Sequence, residues 1–145
     1  MSAAPHGAPR VAVSKRYRFP AAHVLRSPAL SDQENARLYG KCSNLHGHDY
    51  GVEVTVTGPV EPVSGQIIAP ERLDQLVDRF VLGPLAHTDL SRSPLFAERV
   101  STAENVARVL YDQLAGPVAE EGRARLLRIR VQETRRNAFE YGDDA

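Results

Sequence analysis

The chain has 145 residues, enough for one unit with its own apolar core and no need of disulfides. Apolar residues make up 42% and charged residues 25%, with 18 basic side chains against 18 acidic ones. That balance argues against a strongly basic nucleic-acid-binding surface, no apolar run reaches the length of a membrane span, and the one cysteine, Cys42, excludes an intrachain disulfide.

Residues 1–10, rich in Ala, Pro and Gly, lack the apolar stretch of a secretory signal and read as a flexible tail on a cytoplasmic protein. Val11, Val13, Tyr17 and Phe19 share one parity against Ser14, Arg16 and Arg18, a half-buried strand that Pro20 is expected to end. Residues 24–41 read as a long loop with a helical turn near Asp32 to Leu38. From Tyr50, the row Val52, Val54, Val56 alternates with Glu53, Thr55 and Thr57, the clearest strand, closed by Gly58-Pro59. Leu73, Leu76, Val77, Phe80 and Val81 follow helical spacing from Pro70 to a stop at Gly83-Pro84. Ser101-Thr102-Ala103-Glu104 fits a capping box ahead of a second helix, carrying Val106, Val109, Leu110 and Leu114 and ended by Gly116-Pro117. Leu127, Ile129 and Val131 alternate with Arg128 and Arg130, and a short last strand covers Ala138 to Tyr141. With no repeat and no sign of a second domain, residues 11–145 read as one domain. Strands and helices are segregated, so the expected class is α+β: a four-stranded, mostly antiparallel sheet with two helices on one face. Its open edges are a pairing liability that association of subunits would remove.

Five histidines are present, and His6 in the tail is expected to be inert. His46 and His48 are two apart, just before the best strand, so extended backbone points both to one face, with Gly47 leaving the backbone between them unobstructed. His23, just after the first strand, can supply a third nitrogen. Three imidazoles leave a fourth position free, the pattern of a catalytic zinc site, although a His-x-His pair on a strand is often no more than two surface residues. Zinc is the default metal here, since other metals also accept imidazole. Cys42, four residues before His46, reads equally as a fourth ligand, as a thiolate with a lowered pKa, or as a small buried apolar residue.

Phe19-Pro20-Ala21-Ala22-His23, Cys42-Ser43-Asn44-Leu45-His46-Gly47-His48, Ser101-Thr102-Ala103-Glu104-Asn105 and Glu133-Thr134 together resemble the 6-pyruvoyl tetrahydropterin synthase family, which includes the 6-carboxytetrahydropterin synthases of queuosine biosynthesis. The resemblance spans roughly residues 11–142. The stretch from Leu30 to Cys42 is similar to pyruvoyl-type members, whereas the direct Cys-x-x-x-His spacing is closer to carboxy-type members. The resemblance implies the tunnelling fold, with subunits joined edge to edge into trimers that stack into a homo-hexamer with active sites at subunit interfaces. It implies a zinc-dependent lyase acting on 7,8-dihydroneopterin triphosphate, with His23, His46 and His48 as zinc ligands and Cys42 as general base. His87 is then its proton-relay partner, Glu133 the anchor of the pterin ring and Thr102 a further pterin contact. Glu133 suits that anchor because a carboxylate accepts two N–H bonds from an aminopyrimidine edge, and its parity with Leu127, Ile129 and Val131 favours an inward direction.

The chain departs from the family pattern at Ala86, where the relay histidine usually follows an aspartate, and at Ala69, where an aspartate usually precedes the first helix. Asp89 could bend back toward His87. Two alternatives follow: a member repurposed for another substrate, or a non-catalytic pterin-binding protein.

Overall fold

The computed structural model describes residues 10–143; the segment read as a tail lies, except for Arg10, outside them. Four strands, β1 (Arg10–His23), β2 (His46–Pro59), β3 (Arg125–Thr134) and β4 (Asn137–Gly142), form one sheet in the order β1-β2-β3-β4, every pair antiparallel. The helices are α1 (Asp32–Tyr39), in the β1–β2 connection, and α2 (Pro70–Val77) and α3 (Ala103–Ala119), between β2 and β3.

Period-two alternation places Phe19 of β1, Tyr50, Val52, Val54 and Val56 of β2, and Ile129 and Val131 of β3 on one buried face. Leu73, Leu76 and Val77 of α2 and Val106, Val109, Leu110, Leu114 and Val118 of α3 close over that face. Each such side chain removed from water contributes about 1.5–3 kcal/mol, so this single layer of helices on sheet holds the fold. The opposite face is polar, with Arg16–Glu53 at 3.2 Å and Arg18–Asp49 at 2.7 Å, exposed pairs contributing about 1 kcal/mol or less each.

The structure corrects several sequence expectations. Pro20 does not end β1, which runs on in register to His23 opposite His46. The Pro20 carbonyl accepts from His87 N (2.7 Å) and Ala22 N donates to Thr88 O (2.9 Å), so even-numbered residues here point their backbone groups away from β2, and Pro20 forfeits no ladder bond. The helical turn near Asp32 is a full helix with a capping box, Ser31 Oγ accepting from Glu34 N and Glu34 Oε1 from Ser31 N. Gly83-Pro84 does not stop the second helical segment; after α2 the chain makes a π turn, Asp78–Leu82, and one more α turn, Gly83–Leu85. Pro84 opens that last turn, where a missing N–H costs little.

In α3 the cap is shifted by one residue from the expected box: Thr102 Oγ1 accepts from Asn105 N at 3.3 Å, while Asn105 Nδ2 reaches back to Val100 O. The helix passes through Gly116-Pro117 to Ala119, where full burial of Val118 offsets the bond that Pro117 cannot donate. In β3 a bulge leaves Leu127 unpaired between Leu126↔Val56 and Arg128↔Thr55, so Leu126 rather than Leu127 is the buried residue.

Candidate metal centre at the end of the core

His46, His48 and Tyr50 lie at i, i+2, i+4 on the core-facing row of β2, continuous with Val52, Val54 and Val56. The histidines are therefore inside β2, not ahead of it. On β1 the same row reads Phe19, Ala21, His23, with His23 directly opposite His46 and Ala21 opposite His48. The core ends in three imidazoles, whose ring centroids are 4.5 Å (His23–His46), 5.0 Å (His46–His48) and 5.1 Å (His23–His48) apart. One ring nitrogen from each lies within 4.8 Å of the others. Gly47 makes no special room, because a Cβ there would meet only the Ala21 carbonyl oxygen at an ordinary 3.7 Å.

The backbone fixes which nitrogens face the centre. His23 Nδ1 lies 2.7 Å from the Ser101 carbonyl and His46 Nδ1 2.8 Å from the Asn44 carbonyl. A carbonyl only accepts, so each Nδ1 carries the proton and each Nε2 keeps a free lone pair, as metal-binding histidines are usually arranged. His23 Nε2 is buried and has no hydrogen-bond partner. An orphaned buried acceptor beside two further imidazoles is what a cation would satisfy. The residues present therefore fit a divalent metal with nitrogen ligands.

Burial favours the neutral form of two of these imidazoles, His23 and His48. Burial pushes His23 down from 6.5 to about 4, opposed by the Ser101 bond and aided by His46 and His48. Burial also lowers His48, against the raising effect of Glu133. Neutral imidazole is the form that binds metal. Tyr50, fully buried, sets its hydroxyl 3.3 Å from His23 Nδ1, and burial followed by Glu133 raises its pKa. Glu133 comes from β3, one step past Gly51↔Gln132 and so facing Tyr50; its Oε2 lies 3.8 Å from both His23 Nε2 and His48 Nε2.

The profile of the 6-pyruvoyl tetrahydropterin synthase family matches residues 12–144. Human 6-pyruvoyl tetrahydrobiopterin synthase is 40% identical over 134 residues, 89% of each chain. The Haemophilus influenzae 6-carboxy-5,6,7,8-tetrahydropterin synthase is 25% identical over 89% of this chain and 96% of that one. The Caenorhabditis elegans 6-pyruvoyl tetrahydropterin synthase structure superposes with a TM-score of 0.87 at 34% identity, covering 94% and 97% of the two chains. The chain belongs to the 6-pyruvoyl tetrahydropterin synthase family. Its sheet and helices are the tunnelling fold of that family.

Cys42 and His87, also matched to the family's site, are not members of the imidazole cluster. Cys42 is half-buried in a 3-10 turn, Gly40–Ser43, with its carbonyl accepting from Leu25 N, and it is not part of the imidazole group. Of the three readings of this cysteine, that of a fourth ligand is not supported. His87 adopts φ 63°, the one left-handed non-glycine among the described residues. That conformation costs about 1–2 kcal/mol and is held by the His87 N–Pro20 O bond. It sets His87 in a shallow depression along the β1 edge together with Ala22, His48 and Asp49. Asp89 does not bend back to His87; its Oδ1 caps the next turn by accepting from Ser91 N at 2.9 Å. Ala86 packs against the core.

Thr102 is committed to the α3 cap and adjoins Ser101, whose carbonyl holds His23. Tyr50 and Ser101 are site residues that sequence reasoning missed. The i, i+2, i+4 row of His46, His48 and Tyr50 was a signal for the first; nothing local signalled the second, a backbone carbonyl 78 residues from its partner.

Proposed function

We propose that the chain is a zinc-dependent lyase that converts 7,8-dihydroneopterin triphosphate into 6-pyruvoyl tetrahydropterin. The observation that carries this is the orphaned, buried Nε2 of His23, aimed with His46 and His48 at a common point in a member of this family. Bound zinc would supply a Lewis acid for the oxygens of the substrate side chain. His23, His46 and His48 hold it, with Ser101 and Asn44 fixing two of the rings. Glu133 accepts the N–H groups of the aminopyrimidine edge and fixes the pterin's orientation. Thr102 adds a pterin contact beside its cap. The Cys42 thiolate takes a proton from a side-chain carbon, and His87 exchanges protons with it. Triphosphate leaves by elimination and hydrogens shift from side chain to ring, so no external reductant enters.

The pyruvoyl product is preferred because relatives named for it are as much as 40% identical, against 25% for the Haemophilus influenzae carboxy-type enzyme. The Cys42-to-His46 spacing favours the second reading, a 6-carboxytetrahydropterin synthase of queuosine biosynthesis that consumes water and releases acetaldehyde with triphosphate. In our reading, residues 11–145 act as one unit in the cytoplasm. The active form is a homo-hexamer, a dimer of trimers, which would pair the sheet edges left open by β1 and β4. Incubation of the zinc-loaded protein with the triphosphate and mass analysis of the pterin decides between the products. Absence of both, at stoichiometric protein, would sink the proposal and favour a repurposed or non-catalytic member.

A further inference from the structure

Residues 87–91 run along the edge of β1 beside His23. His87 N donates to Pro20 O at 2.7 Å, Ala22 N donates to Thr88 O at 2.9 Å, and Ala22 bridges in parallel to Asp89. At Val24, the residue after His23, a side chain takes over from the backbone: Ser91 Oγ accepts from Val24 N at 2.6 Å and donates to Val24 O at 3.1 Å. The same oxygen stands 3.4 Å from Ser101 Oγ. Ser101 is buried, and Ser91 is the one hydrogen-bond partner of its hydroxyl among the described residues. A hydroxyl has one proton to give and two lone pairs to offer. With Val24 N–H and Ser101 O–H donating and Val24 O accepting, Ser91 uses all three. Ser91 is itself held in place, because Asp89 Oδ1 accepts from Ser91 N at 2.9 Å and Leu90 between them is fully buried in the core.

We propose that Ser91 is a positioning residue for His23, a role that rests on the metal-centre reading above. His23 is held both through its backbone, which continues into Val24, and through its ring, whose Nδ1–H donates to the Ser101 carbonyl at 2.7 Å. Ser91 grips the residue on each side, Val24 and Ser101. His23 and Ser101 are 78 residues apart in the chain, so no local constraint sets one against the other, and the Ser91 hydroxyl couples them. The ring is thereby aimed at His46 and His48 before a metal arrives, which lowers the ordering cost of binding one. Ser91 itself touches neither metal nor substrate.

The test uses the full chain stripped with chelator. In the metal-free wild type the His23 Nδ1–H should give a slowly exchanging imidazole proton resonance, because the residue is 1% exposed and donates this proton to Ser101 O. Ser91→Ala should speed that exchange severalfold, and Ser91→Thr, which keeps the hydroxyl, should return it to the wild-type rate. Titrated with Zn2+ alone, Ser91→Ala should bind about tenfold more weakly, the lower end of the losses on removing groups that orient metal-bound histidines, because Ser91 is exposed and water replaces part of its bonding. Ser91→Thr should bind zinc as wild type does. Ser93→Ala, which removes the hydroxyl capping the next turn of the same loop, should change neither measurement. Unchanged His23 exchange or wild-type zinc affinity in Ser91→Ala overturns the proposal, as does an equal loss in Ser93→Ala or failure of Ser91→Thr to restore the wild-type values. Failure of the wild type to bind zinc at all would refute the metal-centre reading instead, and the exchange rates would still decide whether Ser91 holds the ring.

Discussion

Acid should destabilise the metal-free protein through His23. In the folded chain burial holds this imidazole at about 4 against an ordinary 6.5. Below 6.5 the unfolded chain takes up a proton that the folded chain refuses, so stability falls as pH drops from 6.5 toward 4 and is level above and below that window. Between pH 8 and pH 5 the loss from this group alone comes to about 2 kcal/mol, which for a chain of this size lowers Tm by roughly 6 °C. The lowered pKa of His48 acts in the same direction. The assay is thermal or urea unfolding in chelator at fixed protein concentration, across pH 8 to 5, for wild type and His23→Asn. The asparagine amide can still donate to the Ser101 carbonyl but does not titrate, so the variant should lose distinctly less stability on acidification. Parallel pH profiles for the two proteins would refute the reasoning.

Cys42→Ala should lower kcat by about a hundredfold or more while zinc content stays at the wild-type level, because the thiol stands outside the imidazole group; loss of zinc would show it to be a ligand. Thr102→Ala should cost about 1 kcal/mol of stability through the α3 cap, read by urea unfolding. Thr102→Ser should restore that stability, and a raised KM in the alanine variant alone would mark the pterin contact. Ala86→Asp should raise turnover about tenfold by giving His87 a carboxylate partner, at a cost in Tm because position 86 packs against the core; unchanged turnover would show that the relay works without one.

Much of the site was legible because a strand repeats every two residues. The row through His46 and His48 into Val52, Val54 and Val56 is visible in the sequence, and it states both that the two rings share a face and that this face is the core's. What escaped depends on partners distant in the chain. Pro20 reads as a strand breaker until its outward direction on an edge strand is known. Leu127 reads as a core residue until the bulge shifts burial to Leu126. The capping box fits Ser101 as well as Thr102, and only the fold assigns Ser101 to His23 and Thr102 to the helix. Glu133 is inward by parity, but its distance to two imidazoles follows from the β2–β3 register. The left-handed backbone at His87 has no local signature, since histidine there is sustained by the Pro20 carbonyl across the sheet edge.

The central claim is that three imidazoles hold one catalytic cation. Calorimetric titration of zinc into chelator-stripped protein tests it directly: wild type should bind one zinc per chain, and His46→Ala and His48→Ala should each lose most of that affinity. Absence of binding in the wild type, or undiminished binding in both variants, would contradict the account.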